Sequence, residues 1–142
     1  MAIPYIKLIH FVKSEDLNHH GTLYAGRCVE WMVEAGLIAA CDVTRSEDIV
    51  CMRINGLLFR KPVPKGTLVA IRSSVAYAGR TSLMSYVEVS NKITGEFIVD
   101  GFFTYVSVDE SGRPKPHGIT ISAETDEEAA IMRDALNFVD KK

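Results

Sequence analysis

NHHGTLYAGRCVEWMVEAG, residues 18–36, runs from a polar turn into a segment that is apolar almost all round yet carries Arg27, Glu30 and Glu34. Helical spacing extends over residues 24–41. The segment holds Ala25, Ala35, Ala39 and Ala40 with Val29, Met32, Val33, Leu37 and Ile38, and no proline interrupts it. Only Arg27, Glu30 and Glu34 form a polar strip, spaced i, i+3 and i+7. A helix with so wide an apolar circumference is buried on several sides. One sheet covers one side, so a second protomer is the natural cover for another.

The flanking segments read as strands. YIKLIHFVK (5–13) is the first, rich in β-branched and aromatic residues. After the helix come IVCMRINGLLFRK (49–61, with Gly56 as a bulge), TLVAIRSSVAYAG (67–79), TSLMSYVEVS (81–90) and FIVDGFFTYVSVD (97–109). The turns between them are PVPKG, Gly79-Arg80 and NKITGE. ETDEEAAIMRDALNFV reads as a terminal helix within about 123–139. Thr125 and Glu128 suit a capping box, and Ile131, Met132, Ala135, Leu136 and Val139 form an apolar stripe. The order predicts an α+β fold in which a curved antiparallel β-sheet wraps around a long central α-helix, with a C-terminal helix added. A single domain over residues 1–142 is expected, its core at about 5–118.

Composition narrows the partners. The 142 residues carry a net charge of −2 and no basic stripe, which argues against nucleic acid. No apolar run is long enough to span a bilayer, and the N-terminus lacks a signal-peptide pattern, so a soluble cytoplasmic protein is expected. Cys28, Cys41 and Cys51 lack metal-ligand spacing and read as small buried hydrophobes. No metal is therefore expected.

Three stretches together resemble the acyl-CoA thioesterases of the hotdog fold, in the acyl-CoA hydrolase branch. They are NHHGTLYAGRCVEWM, LLFRKPVPKGTLVAIRSSVAYAGRTSLMSYVEV and FTYVSVDESGRPKPH. The resemblance covers roughly residues 5–118. It implies a hotdog fold and hydrolysis of acyl-CoA to free acid and CoA with no cofactor, CoA being part of the substrate. It also implies a homodimer whose two sheets join side by side, with active sites at the interface and further assembly to a tetramer or hexamer. A non-catalytic acyl-CoA-binding hotdog protein is the alternative. A hydratase is disfavoured, since neither a Gly-His-Phe-Pro nor an Asp/His motif stands near the helix.

The site residues follow from the same resemblance and from the chemistry. Thioester hydrolysis needs a polarised carbonyl, an activated water and a held oxyanion. The N-terminus of the long helix offers free N–H groups and a positive dipole end, and Ala25 and Gly26 are small enough to let a thioester approach. The other reading of these two is close helix packing. Asn18 matches the family's loop Asn and is expected to orient water or hold the carbonyl; alternatively it is a turn former satisfied by its own loop. His19 and His20 match no catalytic position. The family acid falls at Val33 here, one residue before Glu34. Adjacent helical residues diverge by ~100°, so Glu34 would act as base from a shifted direction, or else belongs to a salt-bridged strip with Arg27 and Glu30. The Gly79, Arg80, Thr81, Ser82 turn is expected to meet CoA phosphates and the pantetheine amide; a plain hairpin explains it equally. Arg60, Lys61 and Lys65 read as solvated surface charges.

Overall fold

The computed structural model describes residues 4–139. Strand β1 (Ile6–Phe11) leads through a 3-10 turn (Ser14–Asp16) to helix α1 (Ala25–Thr44). Strands β2 (Ile49–Gly56), β3 (Leu68–Ala78), β4 (Ser82–Asn91) and β5 (Phe97–Ser107) follow, then helix α2 (Asp126–Ala135) and a 3-10 turn (Leu136–Phe138). The strands form one antiparallel sheet in the order β1-β3-β4-β5-β2. Register shifts at Val75/Tyr77 and Cys51/Arg53 bend the strands, as bulges do. Helix α1 lies on the inner face, chiefly over β3 and β4. This is the expected α+β hotdog arrangement.

The inner core is apolar and closely packed. Met32, Ala35, Ala39 and Ala40 meet Val69, Ile71, Val75, Leu83, Val87 and Phe103. Burying each large side chain among them stabilises the fold by roughly 1.5–3 kcal/mol. Two sheet side chains also bond the middle of α1: the Tyr105 hydroxyl donates to the Val33 carbonyl at 2.6 Å, and Ser85 Oγ donates to the Gly36 carbonyl at 2.9 Å. Gly36 has a steric reason to be glycine, because a Cβ there would run into the Tyr105 hydroxyl.

Several expectations need correction. The first strand after α1 stops at Gly56, not Lys61: Gly56 (φ 95°) still pairs with Gly101, but with Leu57 (φ 72°) it is left-handed, and the chain turns away from β5 after Leu57 N–H. The bulge lies at Cys51/Arg53 rather than at Gly56. Cys28 is buried and Cys41 half-buried, but Cys51 is exposed on β2. In the C-terminal helix, Thr125 accepts from Glu128 N–H as expected, while the Glu128 carboxylate accepts from Glu124 N–H, one residue outside the cap. The chain tightens into a 3-10 turn at Leu136, which shifts the stripe's phase. Leu136 is exposed, and Phe138 instead packs on the outer face of the sheet with Ile131, Ala135 and Val139.

Strand β2 is the sheet's end strand and pairs only with β5. Its Val50, Met52 and Ile54 are 50%, 55% and 42% exposed. An apolar edge with an open row of backbone groups is a template for another strand.

Candidate active site

The chain enters α1 through a tight polar turn. Asn18 Oδ1 accepts from the backbone N–H groups of His20 (2.8 Å) and Thr22 (3.2 Å), and Asn18 Nδ2 donates to Thr22 Oγ1 at 3.1 Å. The amide therefore serves its own loop, the commoner fate of such an Asn. It also lines a cavity of about 290 Å³ at the start of α1, with Thr22, Ala25, Cys28, Phe59 and Val63 among the walls. The turn bonds hold the side chain in the cavity wall. Arg60 and Lys61 stand at this cavity too, although Lys61 is 3.4 Å from Glu96. His19 and His20 are both exposed and pack ring against ring, as solvated loop residues do.

Helix α1 has no side-chain cap at Tyr24. The N–H groups of Ala25 and Gly26 find no acceptor among the described residues. Ala25 lines the cavity and Gly26 follows it, so an unpaired donor and the positive end of a 20-residue helix face the cavity, a suitable place for a developing oxyanion. The exposed Tyr24 ring lies over Gly26, and a Cβ there would push the ring aside. Burial pushes the Cys28 thiol up to about 12, so it is a neutral wall and not a nucleophile.

The polar strip of α1 divides in two. Arg27 Nε lies 3.3 Å from the buried carboxylate of Asp16, and its Nη1 lies 3.3 Å from Glu30. Asp16 also accepts from Lys13 N–H at 2.9 Å, which ties the 3-10 turn to the helix. Sequence reasoning missed Asp16, since nothing in SED marks the acid that will be buried. Glu34 is exposed and makes no hydrogen bond or ion pair among the described residues. It stands one helical turn after Trp31, whose ring stacks on His10 of β1 at 4.3 Å and 3°. Burial lowers the pKa of His10, while Glu34 and then Asp16 pull it upward. Val33, one step round the helix, is half-buried against the core.

The Gly79–Ser82 turn is built by backbone bonds. Gly79 N–H donates to the Ser82 carbonyl at 2.9 Å, and Ser107 N–H donates to Thr81 at 2.8 Å. A Cβ on Gly79 would lie 2.7 Å from Ser82 Oγ. His117 of the exit loop, missed from sequence, completes the turn. Ile119 N–H donates to its Nδ1, so Nε2 carries the proton and donates to the Ser82 carbonyl at 2.9 Å. Arg80 is exposed and joins no ion pair among the described residues.

These groups do not meet within one protomer. The start of α1 is fastened near the start of β3, through Leu23 N–H to Val63 O and Gly66 N–H to Val12 O. The Gly79–Ser82 turn lies at the far end of β3, eleven residues away, which is roughly 35 Å of strand. Glu34 lies nine residues into α1, about 13 Å along its axis. The structure brings Asn18, Ala25 and Gly26 together and leaves Glu34 and the turn apart from them. Among the described residues, no group of three His, Cys, Asp or Glu could hold a metal ion.

Comparison with known proteins gives the family. The thioesterase superfamily model matches residues 20–98. The acyl-CoA thioester hydrolase YciA of Salmonella typhimurium is 30% identical over 108 residues, covering 71% of this chain and 80% of that protein. An acyl-CoA hydrolase from Bacillus cereus superposes with a TM-score of 0.86 at 28% identity, over 94% of this chain and 83% of that one. A hexameric acyl-CoA thioesterase superposes at 0.84 with 30% identity, over 94% and 86%. The matched region contains α1, the helix whose open N-terminus forms the cavity, and the chain belongs to the thioesterase superfamily.

Proposed function

We propose that this protein hydrolyses acyl-CoA thioesters to the free acid and CoA, using water and neither metal nor cofactor. The observation that carries the reading is the cavity at the start of α1, lined by Ala25, whose N–H is unpaired, and by the fixed Asn18 amide, with the unpaired Gly26 N–H next along the helix. The thioester carbonyl oxygen points at those N–H groups. Water adds to the carbonyl carbon, and the negative charge that develops on oxygen is held by the two donors and the helix dipole. The C–S bond then breaks, and the CoA thiolate takes up a proton. Within one protomer Glu34 stands about 13 Å along α1 from the Ala25 N–H, so as the candidate base for the attacking water it would have to act across the pair of copies. Its carboxylate is unpaired, whereas Glu30 is taken up by Arg27.

The site is shared by two copies of the chain. Pairing through the open β2 edge, antiparallel and about a two-fold axis, sets one copy's Gly79–Ser82 end beside the other's α1 N-terminus. It also covers Val50, Met52 and Ile54. A homodimer is thus the smallest active unit, and the hexameric relative supports further assembly.

Val33 favours a second reading, acyl-CoA binding without hydrolysis. An apolar side chain occupies the place of the family's acid, and Glu34 points elsewhere on the helix. CoA release from a panel of acyl-CoAs, followed with a thiol reagent, separates the two. Turnover supports the enzyme; tight binding without turnover supports the carrier; neither binding nor turnover overturns both.

A further inference from the structure

Asp16 stands where two parts of the candidate site join. It closes the 3-10 turn after β1 and is only 5% exposed. One carboxylate oxygen accepts from Lys13 N–H at 2.9 Å, and the other lies 3.3 Å from Nε of Arg27 in the first turn of α1. Its backbone carbonyl accepts from the N–H of Tyr24, the residue that opens α1, at 2.9 Å. Side chain and main chain of Asp16 therefore both hold the start of the helix.

The same residue closes the neck of the loop that carries Asn18. Leu17 and Leu23 form an antiparallel bridge beside it, and Asn18 N–H donates to the Thr22 carbonyl at 2.7 Å. Asn18 follows Asp16 by two residues, while Ala25 and Gly26 stand just before Arg27. A shift of the 3-10 turn against α1 thus moves the Asn18 amide relative to the Ala25 and Gly26 N–H groups.

Stability alone is a weak reason to bury a carboxylate. Desolvation offsets most of what an ion pair returns, and well-packed apolar side chains of similar volume often do as well or better. What the bonded carboxylate adds is direction, since Lys13 N–H and Arg27 reach it from different segments. An oxyanion site depends on direction: a misplacement of about 1 Å costs up to ~10²-fold in rate.

We propose that Asp16 is a positioning residue for thioester hydrolysis, acting through Arg27 and Tyr24 to fix the Asn18 loop against the first turn of α1. Asp16 is not part of the cavity wall, so its effect is on placement and not on contact with the substrate. The proposal rests on the hydrolysis reading above.

Four proteins test it: wild type, Asp16→Asn, Arg27→Met and Glu30→Gln. The last removes Arg27's other partner, 3.3 Å away, and leaves the Asp16 contact in place. Amide hydrogen exchange reads placement without turnover. The His20 and Thr22 amides donate to Asn18, and those of Arg27 and Cys28 close the first helical turn on Tyr24. All four should exchange about tenfold faster in Asp16→Asn and Arg27→Met, while Ala39 and Ala40 keep their wild-type rates. Steady-state kinetics on one acyl-CoA read the reaction. In both variants kcat should fall about ten- to a hundredfold, with KM within about threefold of wild type. The double variant should fall no further than the worse single one, because one contact is lost in each. Glu30→Gln should match the wild type in both measurements. If Asp16→Asn does not fold, Arg27→Met against Glu30→Gln decides. Unchanged exchange in Arg27→Met overturns the proposal, as does quickened exchange with an unchanged kcat. Loss of kcat, CoA affinity and mid-helix protection together would also overturn it, since that is general loosening. A wild type that binds acyl-CoA without turnover, with exchange quickened in the two variants, would sink hydrolysis and leave the Asp16 clasp standing.

Discussion

A methyl group added at Gly36 tests how α1 is fastened to the sheet. On an exposed helix, Gly→Ala is worth roughly 1 kcal/mol of stabilisation. Here the new Cβ would run into the Tyr105 hydroxyl and lie 3.1–3.2 Å from two ring carbons. Tyr105 is fully buried and its hydroxyl is committed to the Val33 carbonyl at 2.6 Å, so the ring has little freedom to withdraw. Overpacking costs about 1–3 kcal/mol, and displacing the hydroxyl forfeits about 1 kcal/mol more. Gly36→Ala should therefore destabilise the protein by about 1–3 kcal/mol, despite the better helix former. Tyr105→Phe alone should cost about 0.5–1.5 kcal/mol, the net value of one hydrogen bond. In the double variant the hydroxyl is gone, so Gly36→Ala should cost at least about 1 kcal/mol less than in the wild type, a coupling typical of touching residues. Urea unfolding followed through the single tryptophan, Trp31, measures all four proteins at one protomer concentration, since oligomers gain stability with concentration. Additivity within about 0.3–0.5 kcal/mol would refute the steric account.

Other predictions concern the site and the edge. Glu34→Gln should lower hydrolysis by about 10²- to 10⁴-fold with little change in acyl-CoA affinity if the carboxylate is the base; turnover near the wild-type level removes Glu34 from the mechanism. His10 has its pKa lowered from 6.5, chiefly by burial, so the unfolded chain binds the proton more readily. Its contribution is present above about pH 6.5 and is lost as pH falls through the lowered native value. His10→Phe should therefore lose less stability than wild type on acidification from about pH 7 to pH 5; parallel losses in denaturant melts would contradict this. Ile54→Lys places a charge on the open β2 edge and should yield monomers in light scattering, with hydrolysis lost. An intact oligomer would show that the copies meet elsewhere.

The fold was legible because its signals are periodic. The apolar circumference of α1 and the alternating strands around it survive any small error in boundaries. What escaped were features set by single close approaches. Gly56 and Leu57 end β2 through their dihedral angles, and the hydroxyl of Tyr105 dictates Gly36. None of these leaves a pattern along the chain. The polar strip was visible, but not its division, because Asp16 reaches Arg27 from a turn outside the helix. The anchoring of the Gly79–Ser82 turn by His117 depends in the same way on the exit loop folding back across the sheet's end. Asn18 and the helix N-terminus are candidates through likeness to a family, and the loop's own hydrogen bonds explain why the Asn is held rigidly.

Sharing of the site between copies is tested most directly by mixing two defective proteins. Asn18→Ala damages the α1 end, and Arg80→Glu damages the turn some 35 Å of strand away in the same copy. Each alone should hydrolyse acyl-CoA poorly. In a mixed dimer of a shared-site enzyme, both lesions fall in one site and the other site is intact. After subunit exchange, random pairing should restore about a quarter of wild-type turnover. Mixed oligomers that form, as judged by mass, and yet regain no activity would contradict the shared site.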